Sequence, residues 1–305
     1  LLSIPLDPTD GHLGSSKDAR AFVPSKLGKH PAAGVDAGIW HSGGAPTLLP
    51  GNQLIFATGN GIYQPEKGVF GCAVVRIDGE NLRVSEPAGT YFSAKGEDPL
   101  KASEACHQGN LDPGSSSIAT LERNGKYFSA IGGKDGWLKA FDPFHLPGTK
   151  APPGSEVKIV EGTLFGQPVA FPGNLFAMGG NGSSGVIWQG FFLSEDRVFK
   201  KIWSISDPHP RAFNSSAAGS YEREGENPVL LVPLASGTPK EGFPAALQIV
   251  DMQTGRVLEE VSFRGAAHFS MPTVLDDKIY LPTAESGIYE FSLRSELRSF
   301  LRYQS

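Results

Sequence analysis

Residues 125–142 read GKYFSAIGGKDGWLKAFD: an apolar run, a glycine turn carrying Lys134 and Asp135, and a second apolar run that closes on Asp142. Short runs of aromatic and small apolar residues bounded by glycine read as paired strands. The phrase recurs along the chain. Upstream, APTLLPGNQLIFATGNG is followed by CAVVRIDGENLRV; downstream, QPVAFPGNLFAMGGNGSSG leads to VIWQGFF and then RVFKKIWSI, and SMPTVLDDKIYLPTAESG leads to IYEFSL. Between the last two lies a looser copy, with NPVLLVPLASG before AALQIVDMQTGRVLEEVSF and a hairpin turn at Gln253-Thr254-Gly255. Each copy is a strand, a turn, an apolar strand, a glycine turn and a third strand.

Self-similarity at a spacing of roughly 40 to 50 residues is the mark of propeller blades. The expected fold is therefore all-β: a β-propeller of four-stranded antiparallel blades with about five recognisable units, open to being part of a larger propeller. The strands LIFATG, YFSAIG, LFAMGG, VLLVPL and IYLPTA should be equivalent. Runs such as Leu54 to Ala57 and Val229 to Val232 are continuously apolar, as expected of strands packed on both faces. RVLEEVSF alternates instead, which puts Val257 and its charged neighbours on opposite faces of an outer strand. A blade has little core of its own, so residues 37–305 should stack as one repeat domain. Residues 1–36 carry no clean repeat and read as an irregular lead-in or the end of a preceding blade. HLPGTKAPPGSE, at 145–156, falls between two repeats and reads as a surface loop.

Composition excludes several functions. With 305 residues, 39% hydrophobic and 19% charged, the chain can bury a sizeable core. A net charge of −5 offers no basic stripe for nucleic acid, and no segment has the apolar length of a membrane span. Gly 38 and Pro 24 suit many short strands joined by turns. The seven histidines stand singly, without metal-ligand spacing. No Gly-x-Ser-x-Gly elbow or phosphate-cradling loop supports hydrolase or nucleotide chemistry. The first residues, LLSIPLDPTD, lack an initiator methionine, so the chain reads as processed or as part of a longer one. Cys72 and Cys106 fit either one disulfide outside the cytoplasm or two thiols inside it. Two acceptor sequons, at Asn181 and Asn214, are compatible with a secreted glycoprotein.

The glycine turn, Lys-Asp-Gly and LKAFD together resemble the repeat of pyrroloquinoline quinone (PQQ) dehydrogenase-like propellers, over most of residues 38–293. That family holds periplasmic alcohol, sugar and polyvinyl alcohol dehydrogenases, and propellers without cofactor that bind or assemble other molecules. The resemblance implies roles for four residues. In GIWHSGGAPTLLPGNQLIFATGNG, Trp40 would stack under the quinone, and Asn60 would ligate calcium through its amide oxygen. In GNLDPGSSS, Asp112 would be the general base on a substrate hydroxyl, although Asn110 stands where the family often has a second Asp. Lys134 would contact the quinone oxygens and stabilise charge developing on reduction. Each also has a plainer reading: Trp40 as blade core, and the other three as ordinary turn residues.

The glutamate that completes the family's calcium site, and its adjacent cysteine pair, would lie upstream of residue 1. The leading expectation is thus a secreted or periplasmic propeller without catalysis, holding a protein or glycan partner on loops such as GNGIYQPEKG and NGSSGVIWQG. The alternative is a quinoprotein dehydrogenase that oxidises a small alcohol or sugar with PQQ and calcium. A third possibility is a structural propeller that keeps calcium at Asn60 without the quinone. Scaffold alone does not choose among them.

Overall fold

The computed structural model describes residues 2–3, 20–24, 37–85, 89–90, 99–146, 156–182, 185–207, 209, 217–220, 227–235, 244–276, 278–284 and 286–292. Strands dominate among them, in the all-β arrangement expected. Five blade-type sheets follow one another along the chain, each an antiparallel meander. Blade 1 is Thr47–Leu49, Gln53–Ala57, Ala73–Asp78 and Gly89–Thr90; blade 2 is Ile118–Arg123, Lys126–Ile131, Trp137–Phe141 and Glu156–Lys158. In blade 3, Leu175–Gly182, Gly185–Leu193 and Phe199–Ser206 run in order, with both Thr163–Leu164 and Val169–Phe171 paired to the first of these. Blade 4 is Ala218–Ser220, Val229–Leu234, Ala245–Asp251 and Val257–Phe263. Blade 5 shows Thr273–Leu275, Lys278–Thr283 and Gly287–Ser292. The five strands expected to be equivalent each hold second place in their sheet.

The chain gathers into two compact units: Leu1–Ile39, Pro46–Gly114 and Leu146–Pro152 in the first, and Trp40–Ala45, Ser115–His145 and Pro153–Ser305 in the second. The first holds blade 1, the hairpin of Tyr63–Gln64 with Val69–Phe70, the pair Leu2–Ser3 with Arg20–Ala21, and the helix Pro99–Gly109. Its core joins Phe22, Phe56, Tyr63, Phe70, Val75 and Ile77. Burial, with Glu66 nearby, pushes the Tyr63 hydroxyl up to about 12. Most of residues 1–36 and of the 145–156 loop, together with Asn214, lies outside the described residues.

In the second unit the core lies between successive sheets. Phe128 and Leu138 of blade 2 share a cluster with Phe176, Met178 and Phe191 of blade 3. Trp188 and Trp203 of blade 3 meet Leu230, Val232 and Val250 of blade 4, while Leu231, Leu247 and Ile249 meet Ile279 and Leu281 of blade 5. This is why Val229–Leu234 is buried at every residue: each face has a neighbouring sheet. Glycines make room for the large rings. Gly179 pairs with Trp188 and Gly190 with Trp203 across adjacent strands. A Cβ at either glycine would overlap the partnering indole.

Where the third strands of blades 1, 2 and 4 turn outward, an aspartate caps the turn. Asp78 Oδ1 accepts N–H bonds from Glu80 and Asn81, Asp142 Oδ1 one from Phe144, and Asp251 Oδ1 two from Gln253 and Thr254. Short carboxylates do this because they reach their own backbone two residues on. The expected alternation in RVLEEVSF is displaced by a bulge. Ile249 pairs with Glu259 and Val250 with Val257, so Leu258 is the inserted residue and packs on the core, while Val257 is 42% exposed.

Candidate functional site

The four residues singled out from sequence fall into two pairs. Asn60 and Asp112 belong to the first unit, and Trp40 and Lys134 to the second.

In the first unit, Asn60 Nδ2 donates to Asn110 Oδ1 at 2.6 Å, and Asn60 Oδ1 accepts the backbone N–H of Asp112 at 3.1 Å. Asn110 and Asp112 follow the helix Pro99–Gly109, whose last turn is closed by Leu111 N–H donating to Cys106 O at 3.0 Å. Both have left-handed backbone, with φ 51 for Asn110 and φ 28 for Asp112. Asp112 is buried. A disulfide joins Cys72 to Cys106, with Cα atoms 6.4 Å apart, which decides between the bridge and the two free thiols. The N–H of Cys72 donates to Gly59 O at 2.8 Å. One covalent link thus ties the helix to the loop of Asn60, and that holds the Asn60–Asn110–Asp112 network.

This donor set does not match a calcium ion. Calcium takes about 6–8 oxygen ligands with several carboxylates among them. Here both carboxamides are engaged in the network, and Asp112 supplies the one carboxylate of the trio. Among the described residues no three of His, Cys, Asp and Glu group as metal ligands. The polar atoms instead satisfy a turn with left-handed backbone at Asn110 and Asp112.

In the second unit, Lys134 rides on the turn that follows Lys126–Ile131. Asp135, its neighbour, is the structural residue: Oδ1 accepts Trp137 N–H at 3.2 Å and Oδ2 pairs with Lys139 at 2.9 Å, while Lys158 Nζ donates to Asp135 O at 3.0 Å. Lys134 Nζ lies over the Trp40 ring, 5.4 Å from its centroid. A lysine on an indole face is worth about 0.5–1 kcal/mol at an exposed site.

Two aromatic residues that sequence reading passed over complete the group. Phe269 stands edge-on to Trp40 at 5.5 Å, and Phe165 is 6.3 Å from Trp40 and 6.4 Å from Phe269. Trp40, Phe269 and nearby Met271 are 37%, 40% and 37% exposed, against the near-complete burial of the rings between the blades. Their backbone is fixed. His41, Ser42 and Phe269 have φ 52, 45 and 51, and a Cβ at Gly43 would come within 2.5 Å of the Phe269 carbonyl. His41 and Ser42 are buried, and Ser117 Oγ donates to His41 O at 3.3 Å. Ser270 Oγ donates to Pro282 O at 2.9 Å. Left-handed backbone at several non-glycine residues persists only where the surroundings dictate it. The result is a rigid, half-open aromatic platform with one ammonium over it. Lys134 Nζ over the ring and Phe269 at its edge fix the indole in place while leaving it partly open to solvent.

Asn181 of the first sequon sits half-buried at the end of Leu175–Gly182. No helix among the described residues is long and apolar enough to cross a membrane.

No family model matches the chain, nor does any curated protein. Solved structures do. BBS1N in complex with ARL6DN superposes with a TM-score of 0.50 at 11% identity, over 82% of this chain and 65% of that one. BamB from Moraxella catarrhalis gives 0.46 at 12%, over 81% and 58%, and the computationally designed Ika4 protein gives 0.39 at 12%, over 58% and 92%. The chain thus spans about three fifths of the length of the two natural proteins. At such identities the likeness speaks to fold alone, and that fold is the β-propeller.

Proposed function

We propose that this chain is a non-catalytic binding or assembly propeller, working outside the cytoplasm, whose protein partner docks on the platform of Trp40, Phe165 and Phe269. The observation that carries this reading is the pairing of exposed aromatic rings with a rigid, strained backbone. Large apolar side chains are held open to solvent at the cost of left-handed turns, which benefits recognition and not the core. Trp, Phe and Met are the residue types enriched at the centre of protein interfaces. Lys134 adds a positive charge, so the matching partner surface carries an apolar or aromatic side chain beside a carboxylate. The Cys72–Cys106 bridge supports a compartment that preserves disulfides.

A quinoprotein dehydrogenase remains the second reading. One observation favours it: Lys134 and Trp40, which the repeat resemblance pairs through the cofactor, do meet. Against it stands the donor set around Asn60, whose carboxamides are engaged with one another and with the Asp112 backbone and do not suit calcium.

Peptides selected from a random display library on the intact chain test the first reading. They are expected to be rich in aromatic and acidic residues and to bind Trp40→Ala about thirtyfold more weakly, the loss typical of an interface hot spot. Lys134→Ala should erase the acidic preference while leaving aromatic selection in place. Equal binding to wild type and Trp40→Ala, or selection of glycans and not peptides on a parallel array, overturns the proposal.

A further inference from the structure

The aromatic platform is small. Its three ring centroids form a triangle with sides of 5.5, 6.3 and 6.4 Å, and the rings are inclined to one another by 56–81°. Polar residues border it. Exposed His268 lies against Phe269 with ring centroids 3.8 Å apart, Lys134 Nζ stands over Trp40, and Ser270 and exposed Thr273 follow Phe269 in the chain. The carboxylate next to Lys134 in sequence, that of Asp135, is engaged by Lys139 and by the Trp137 N–H. An aromatic centre inside a polar rim is the layout of an interface hot spot.

The size of the triangle limits what can dock. An amphipathic helix spreads its anchors over about 10 Å between i and i+7, longer than any side of the triangle. Strand addition needs a sheet edge, and the three rings stand on loops. One side chain fits. A ring seated about 4–5 Å above the triangle lies about 6 Å from all three centroids, within the spacing of aromatic pairs, so a single aromatic side chain makes three such pairs at once. An aliphatic side chain covers the same surface without them. Lys134 sets a second requirement. Its Nζ is 5.4 Å from the Trp40 centroid. A ring seated on the triangle is therefore within about 12 Å of the ammonium, a span of about four extended residues.

We infer that the partner presents a short, flexible, acidic segment: one aromatic side chain seated on the triangle of Trp40, Phe165 and Phe269, with an aspartate or glutamate within about four residues of it paired to Lys134. The inference rests on the platform being the docking site proposed above, and it names what docks there. The left-handed turns under Trp40 and Phe269 hold the receptor in place, so the cost of ordering falls on the segment alone. With a single anchor, binding is weak and exchange is fast, as for other disordered segments that order on a small surface.

The test titrates the full chain into a dye-labelled eleven-residue glycine–serine peptide with one central tryptophan and an aspartate two residues to either side, followed by fluorescence anisotropy. Saturable binding is expected. Changing the tryptophan to leucine should weaken it about tenfold. Changing both aspartates to asparagine should weaken it about fivefold, an effect that disappears in Lys134→Ala. A second tryptophan four residues from the first should strengthen binding by no more than about threefold. If display-selected peptides bind in a Trp40-dependent way but the single-tryptophan peptide does not, or if the second tryptophan gains more than that, the partner is a multi-anchor helix and the inference falls while the platform reading stands. Leucine serving as well as tryptophan overturns the inference in the same way. If neither the probe nor the selected peptides distinguish wild type from Trp40→Ala, the platform reading falls with it.

Discussion

Trp203→Ala is expected to remove about 3–5 kcal/mol of stability, the range for deleting a large buried aromatic. Trp203 leaves blade 3, covers Gly190 and Gly255, and donates its Nε1–H to Met252 O of the blade 4 turn at 2.7 Å. The residue is therefore both filler and clasp between two sheets. Truncation opens a cavity that neither sheet can close alone, and it orphans the Met252 carbonyl. Trp203→Phe separates the two effects: it keeps most of the volume and should cost about 1–3 kcal/mol from the lost hydrogen bond and a smaller void. Urea unfolding of the three proteins gives the comparison. If the alanine variant loses under about 1 kcal/mol, the sheets do not depend on one another as the stacked-blade account requires.

Replacing Cys72 and Cys106 together with alanine should cost nearly as much. The bridge closes a loop with a sequence separation of 34. The chain-entropy relation gives about 3.8 kcal/mol at 25 °C for a loop of roughly that length. The structural result is local. Without the link, the helix Pro99–Gly109 loses its tie to the Gly59–Asn60 loop, and its amides should exchange faster while those of blades 3 and 4 hold. The helix has few apolar residues with which to bind itself down, which makes the covalent tie important. A fall of less than about 1 kcal/mol, or equal acceleration in all the blades, would show that the bridge is not what secures this helix.

The blades were legible because the chain marks them locally. A turn residue, a short apolar run and a glycine recur, and the second strands in all five sheets lie where those phrases put them. Asp142 closes the phrase that marks blade 2, but the capping of outward turns by Asp78, Asp142 and Asp251 emerges only in the structure. The helix Pro99–Gly109 was not expected, because PLKASEACHQG offers a thin apolar stripe and a disulfide partner distant in sequence does the holding. The bulge at Leu258 escaped notice as well, since the alternation of RVLEEVSF reads the same with or without an inserted residue.

The site was half legible. Trp40 and Lys134 were named from a repeat phrase and do meet, but Phe165 and Phe269 carry no local signature: each is one aromatic in a loop, and only tertiary structure brings them to Trp40. Asn60 and Asp112 were also named, as metal ligand and base. The structure joins them through a carboxamide and a backbone N–H, an arrangement that residue type alone cannot reveal.

The most direct measurement is a titration of the intact chain with PQQ at millimolar calcium, followed by visible absorbance and by dye-linked oxidation of primary alcohols and sugars. The binding-propeller account predicts no saturable, calcium-dependent quinone spectrum and no turnover. Stoichiometric PQQ binding that is weakened in Lys134→Ala, with turnover abolished in Asp112→Asn while the quinone stays bound, would contradict it and make the chain a dehydrogenase.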